Sequence, residues 1–175
     1  MEEERKHKYE FRDSVSGTIK KVYKYGSRVY GTSSEDSDFD FIFIVESDED
    51  VYYRVDKKNT NITVYSESVF IDKIQSHEIS VLECIFQDEG DPYLKYFKLD
   101  KPRLRKSISA IASNSYGKFK KKMKQGDYET GKKSLFHSLR ILGFGIQIAI
   151  SERIVSYSAY NDYHTIIMKM TSKKT

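Results

Sequence analysis

Apolar residues recur along this chain in two periods, alternating or continuous over its first third and spaced by three and four over most of the rest. A period of two belongs to a strand, whereas positions i, i+3, i+4 and i+7 gather on one side of a helix. Thr18–Tyr25, rich in β-branched and aromatic residues and stopped by Gly26, predicts a strand. Ser27 to Gly31 predicts a single helical turn, with Ser27 placed to cap it and Gly31 to end it. Phe39–Val45 is apolar after one aspartate, as expected of a central strand covered on both faces. Asn61–Tyr65 predicts a third short strand, and the charged, aperiodic stretch Glu46 to Asn59 before it predicts a loop or an exposed hairpin.

From Ser66 the pattern turns helical. Val69, Phe70 and Ile74 share one helix face, and Ile79, Leu82, Ile85 and Phe86 repeat it after a break near His77. Pro92 and Pro102 punctuate the way to a long helix over 103–124. A further helix runs from Thr130 to about Ile150. On it, Leu135, Leu139, Leu142, Ile146 and Ala149 are separated by 4, 3, 4 and 3 residues, which predicts one buried stripe. Residues 2–16 predict a short helix or frayed arm, and the lysine-rich end from Ser172 a tail. The outline is an α/β (α+β) chain: a small mixed sheet with flanking helices over 1–100, and a helical region over 101–175 packed on it.

Composition narrows the setting. The single cysteine, Cys84, can form neither an internal disulfide nor a multi-cysteine metal site, so a reducing, cytoplasmic compartment and oxygen-ligated metal are expected. No run approaches the roughly 18 to 20 consecutive apolar residues of a membrane span, and the acidic start Met1-Glu2-Glu3-Glu4 is unlike a secretory signal, so no membrane partner is expected. Two prolines, no tryptophan and abundant lysine and tyrosine suit an AT-rich coding sequence such as a bacteriophage carries. The net charge of +4 hides a polarity. Residues 1–100 hold 14 Lys and Arg against 22 Asp and Glu, and residues 101–175 hold 16 against 4. Lys101 to Gly126 has nine basic residues and no acid, which reads either as a solvated helix face or as a patch for nucleic-acid phosphates.

The chemistry concentrates in Gly26-Ser27-Arg28-Val29-Tyr30-Gly31-Thr32 and in Ser37-Asp38-Phe39-Asp40 at the entrance to the most hydrophobic strand. Residues two apart on a strand share a face, so Asp38 and Asp40 present paired carboxylates while Phe39 points away. Such a pair repels itself unless a cation joins it, and hard oxygen donors favour Mg²⁺ or Mn²⁺. A strand ending at Gly26, followed by the first N–H groups of a turn, offers a place for an anion.

These residues resemble the signature of the DNA polymerase β nucleotidyltransferase superfamily. The run from Tyr25 to Asp40 resembles, more narrowly, the Gly-Ser-Arg-x-Tyr-Gly and Ser-Asp-x-Asp of small nucleotidyltransferases of bacteria and phages. The string Val81-Leu82-Glu83-Cys84-Ile85-Phe86 and the helix Lys133-Ser-Leu-Phe-His137-Ser-Leu-Arg140 are similar to later parts of those proteins. The resemblance implies that Asp38 and Asp40 are catalytic and hold Mg²⁺ or Mn²⁺. It also implies that Gly26 and Ser27 bind the phosphates of a nucleoside triphosphate, with Arg28 a secondary contact. The superfamily's third carboxylate comes from the neighbouring strand, where this chain has Asn61. An amide coordinates a cation weakly and cannot act as a base at neutral pH. Either Glu67 or another acid substitutes, or the strand register differs, or nucleotide is bound without efficient transfer.

Lys133, His137 and Arg140 fall at i, i+4 and i+7, on one helix face beside the leucine stripe. They read either as a clamp for phosphate or acceptor, or as a packed histidine with an ordinary surface arginine. The expected function is metal-dependent transfer of a nucleoside monophosphate from NTP to an acceptor hydroxyl. RNA, tRNA or a DNA end is favoured through the basic 101–124 segment, and a protein or small molecule remains open. The alternatives are a catalytically weakened nucleotide-, RNA- or partner-binding regulator of the same fold, and a nonenzymatic nucleic-acid binder. The chain's own residues leave its oligomeric state open.

Overall fold

The computed structural model of the protein describes residues 15–170. The arm predicted over 2–16, but for its last two residues, and the predicted tail lie outside the described residues. The chain forms two compact units that divide between Lys98 and Leu99.

In the first unit, β1 (Thr18–Tyr25), β2 (Phe39–Glu46), β3 (Tyr52–Lys57) and β4 (Thr60–Ser66) form one mixed sheet in the order β1-β2-β4-β3. β2 lies inside it, antiparallel to β1 and parallel to β4. Five consecutive residues of β2, Phe41 to Val45, are buried, because both faces of this strand are covered. On one face Phe41, Phe43 and Val45 cluster with Ile19, Ile62 and Val64. On the other, Phe70 of α2 (Glu67–Gln75) stacks on Tyr23 and meets Tyr65, and α3 (Ile79–Ile85) adds a nearly wholly buried surface. The break between α2 and α3 falls at His77, whose φ of 61° is left-handed.

The stretch 46–59 is neither plain loop nor isolated hairpin: its second half is β3, antiparallel to β4 on the sheet edge. Tyr53 and Val55 pack against the core while Tyr52, Arg54 and Asp56 are exposed. That alternation is a half-buried edge strand, masked in the sequence by its charges.

The second unit is a hairpin of α4 (Lys101–Lys124) and α5 (Tyr128–Ser151), with α6 (Asn161–Lys169) laid on α5. The α4 helix begins two residues earlier than its proline suggests. Asp100 caps it by accepting from the Arg103 N–H at 3.0 Å, and Pro102 sits in the first turn, where no N–H is required. Asp127 caps α5 through the Thr130 N–H at 3.2 Å and accepts from Lys122 Nζ at 2.9 Å.

The stripe expected to be buried on α5 is not. Leu139, Leu142 and Ile146 of it are exposed and Leu135 and Ala149 half-buried, and the buried face runs one position earlier along the helix, through Ser134, Ser138, Ile141, Gly145 and Ile148. The reason is close approach by small residues. The Ser138 hydroxyl donates to the Ala112 carbonyl at 2.8 Å. A Cβ on Gly145 would press into Ile108, and one on Gly131 into Met123. Two helix backbones this close leave no room for a leucine seam between them. By length and composition α5 could cross a bilayer. Yet its buried groups include Ser134, Ser138, Arg140 and Gln147, the polar set of a helix inside a protein hairpin.

Lys133, His137 and Arg140 do share a face, but at about 100° per residue it is the flank opposite the exposed leucines, not beside them. Arg140 is buried, donates to His137 Nδ1 at 2.8 Å and lies over the rings of Phe136 and Phe144. His137 is therefore the Nε2–H tautomer. Burial first, then the positive charges of Arg140 and Lys118, push its pKa down to about 4. A histidine held neutral when folded stabilises the fold above the unfolded value near 6.5, and that contribution is lost as pH falls from 6.5 to about 4. His137→Gln keeps an acceptor for Arg140 and removes the titration. We expect the unfolding free energy of the variant to fall less than that of the wild type between pH 6.5 and 4, by a difference of order a few kcal/mol, read as a smaller drop in melting midpoint. Identical pH profiles in thermal denaturation would contradict this assignment.

Candidate nucleotide site

The first unit assembles a glycine turn, two aspartates and an asparagine at one end of the sheet. β1 pairs with β2 so that Tyr25 stands opposite Asp40, and β4 pairs with β2 so that Asn61 stands opposite Asp40 on the other side. Asp38 is exposed and lies just before β2, and Asp40 is half-buried within it.

Gly26 follows β1 with φ 82° and ψ −162°, a conformation that side chains disfavour. A Cβ there would also collide with the Asp40 carboxylate. Two independent constraints thus require glycine at this position. The turn itself is α1 (Ser27–Tyr30), closed by Gly31 at φ 74°. Ser27 is its first helical residue rather than its cap: Gly26 precedes it, no side chain caps it, and the Gly26 carbonyl accepts from Val29 and Tyr30. The turn is anchored from below. Tyr30 is buried and its hydroxyl donates to Glu83, an acid buried within α3, while Gln87 Nε2 donates to the Lys24 carbonyl at 2.8 Å. Glu83 interrupts an otherwise apolar string because it receives this bond.

Arg28 reaches back across the loop. Its guanidinium lies 3.9 Å from the centre of the Phe39 ring and donates to the Ser37 carbonyl at 2.5 Å. Arg28 therefore braces the segment that carries both aspartates.

Asn61 Nδ2 donates to Asp40 Oδ1 at 3.1 Å. The strand register is thus the one in which Asn61 faces Asp40. Glu67 cannot substitute, since it sits past the other end of β4 and accepts from Lys20 at 2.6 Å and from the Tyr93 hydroxyl at 3.0 Å. Asp56, which the sequence pattern did not single out, stands opposite Asn61 on β3. It is two strands, about 10 Å, from Asp40, too far for both to ligate one ion. Among the described residues no three His, Cys, Asp or Glu side chains form a metal-binding group.

The electrostatics follow from this arrangement. Burial raises the Asp40 pKa and the neighbouring Asp38 charge raises it further, while the Asn61 amide and the cations Arg28 and Arg54 oppose them. Tyr25, hydrogen-bonded with Thr63, is pushed up to about 12 by burial and by Asp40, so its phenol stays protonated at neutral pH. Neither Thr63 nor Arg54 carries a motif; only their registers bring them near Asp40. Lys133, His137 and Arg140 belong to the second unit, where Lys133 pairs with Glu129 at 2.7 Å and Arg140 is committed to His137.

A carboxylate pair with an amide beside it is a hard oxygen donor set that suits Mg²⁺ or Mn²⁺. Such ions commonly take one or two carboxylates and complete their shell with water and substrate phosphates. Asp38 and Asp40 are the residues that would hold one.

No curated protein matches the chain. Nine chains of solved structures do, among them a nucleotidyltransferase-like protein from Exiguobacterium sibiricum 255-15. It is 12% identical, with a TM-score of 0.37, over 100% of this chain and 69% of that one. The nucleotidyltransferase domain family matches residues 4–108. That span takes in all four strands, the Gly26 turn and both aspartates, and the chain belongs to the nucleotidyltransferase domain family, of the DNA polymerase β type.

Proposed function

We propose that the protein is a metal-dependent nucleotidyltransferase that moves a nucleoside monophosphate from a nucleoside triphosphate to an acceptor hydroxyl. The observation that carries this reading is the approach of the Gly26 turn to Asp40, so close that a Cβ would not fit. A triphosphate lying on that turn has its phosphates within reach of the carboxylates. Gly26 and Ser27 would receive the β- and γ-phosphates, and Asp38 and Asp40 would hold Mg²⁺ or Mn²⁺. When bound, such an ion neutralises phosphate charge and makes the α-phosphorus more open to attack. The chain's own contribution is placement: Arg28 holds residues 37–39 in position, Tyr30 and Glu83 hold the turn, and Asn61 orients Asp40 through its amide. The acceptor hydroxyl attacks the α-phosphorus and pyrophosphate leaves.

A second reading has its own support. Asn61 faces Asp40 where the resembled superfamily has a carboxylate, and an amide cannot take the acceptor's proton. The same site then binds nucleotide with little turnover, as a regulatory module would.

The acceptor we favour is an RNA, tRNA or DNA end. Lys101, Arg103, Arg105 and Lys106 at one end of α4, and Lys118, Lys120, Lys121 and Lys124 at the other, all point to solvent. A protein or small-molecule hydroxyl would have less use for this charge. The compartment we assign is the reducing cytoplasm, of a phage-infected host if the gene is a phage's, in keeping with the lone, buried Cys84.

Three outcomes test these readings. In thermal shift with ATP, GTP, CTP and UTP and Mg²⁺ or Mn²⁺, a nucleotide at about 100 times its dissociation constant should stabilise the wild type by roughly 2.7 kcal/mol. The Asp38→Ala/Asp40→Ala variant should lose that shift; a shift retained there would move the nucleotide site elsewhere. Asn61→Asp should raise incorporation of α-labelled nucleotide into RNA by about 10²-fold or more if the missing base limits the wild type. An active wild type slowed by the same change would instead reject the weakened reading. Finally, RNA binding should weaken steeply with salt, and replacing Lys118, Lys120, Lys121 and Lys124 by Gln should flatten the slope of log K against log salt by up to about 3. An unchanged slope would remove α4 as the nucleic-acid contact.

A further inference from the structure

We infer that the exposed apolar flank of α5 and α6 is the interface through which two copies of this chain pair. On α5, Leu139, Leu142, Ile146 and Ile150 are between 39% and 78% exposed. Leu135, Leu139, Leu142, Ile146 and Ala149 keep the 4-3-4-3 spacing of a coiled-coil seam, with Ile150 beside its end, yet α4 packs on a different face. Tyr163 and Ile166 on α6, and Met170 just past its end, are 52% to 60% exposed.

The two stripes lie on one side. Lys132 Nζ donates to the Met168 carbonyl, Phe136 meets His164, and the Tyr160 hydroxyl donates to the Gly143 carbonyl. Rising numbers on α5 thus meet falling numbers on α6, so the helices are antiparallel. Each stripe is turned from the contact between the helices in opposite senses along opposed axes, so both stripes face the same flank.

The area and the charge point to a second copy. These seven side chains expose on the order of 700 Å², more than the patch a monomer ordinarily leaves uncovered and close to the roughly 800 Å² each partner gives to a standard interface. From Ser134 to Ser151 the only charged residue is Arg140, which is buried on the other flank. Across the α5 part of this flank, two copies can therefore meet about a two-fold axis without opposing like charges, even though residues 101–175 are strongly basic.

The test is the solution mass of the full chain by sedimentation velocity at physiological salt, from about 1 to 100 µM. The wild type should sediment as two chains at the upper end. Leu142→Glu/Ile146→Glu should sediment as one, with its circular dichroism and melting midpoint preserved because both side chains are exposed. Should that variant fail to fold, Leu142→Gln/Ile146→Gln provides the same readout with a milder change. A wild type that remains a single chain at 100 µM, or a folded double variant that remains paired, overturns the inference. Co-sedimentation of a monomeric wild type with phosphatidylserine vesicles overturns it in favour of a membrane surface.

Discussion

The site depends on the pairing of β2 between β1 and β4. That pairing brings Tyr25 and Asn61 to either side of Asp40, and the β1 end that it positions must turn away without a side chain. The burial of Phe41 to Val45 drives it, since a strand apolar on both faces is stable only where neighbours cover it fully. The register is then strongly held, because a slip of one residue would carry Asp40 into the aromatic face and Phe41 out of it. The chemistry at the strand's mouth is thus held by the packing of its middle.

Around that strand, polar groups are placed where burial would otherwise penalise them. Glu83 accepts from Tyr30, and Asp91 accepts from Lys21 at 2.5 Å and from Tyr23 at 2.7 Å. Each bond ties a segment distant in sequence to β1 or to the turn that follows it. An unpaired carboxylate at either place would be costly, so these acids specify position as well as contribute stability. Arg28 plays a similar part at the surface, holding the aspartate segment through a carbonyl and an aromatic face.

The helical unit follows a different logic. Serine, alanine and glycine interrupt the apolar residues along the α4–α5 contact, and Leu139, Leu142 and Ile146 of α5 are left outside it. Close backbone approach gains dispersion contacts along two long helices, and the displaced leucines become surface. An apolar surface of that extent has meaning in a protein, and here it is free of charge where the rest of the unit is basic.

Much of this was legible in the residues. The glycine turn, the aspartate pair, the central strand and α2 to α5 follow from local period and punctuation, because each is decided by neighbours in sequence. Asn61 was legible too, though only as a departure from a resembled pattern. What the chain alone left open was decided by long-range pairing. β3 became a strand because β4 offered it an edge, and Asp56 and Arg54 came near the site by register alone. The buried face of α5 shifted by one residue because Ala112 and Ile108 came close enough to select small partners. Periodicity shows that a helix has a face to bury, but which of two competing faces is buried depends on the shape of what arrives against it.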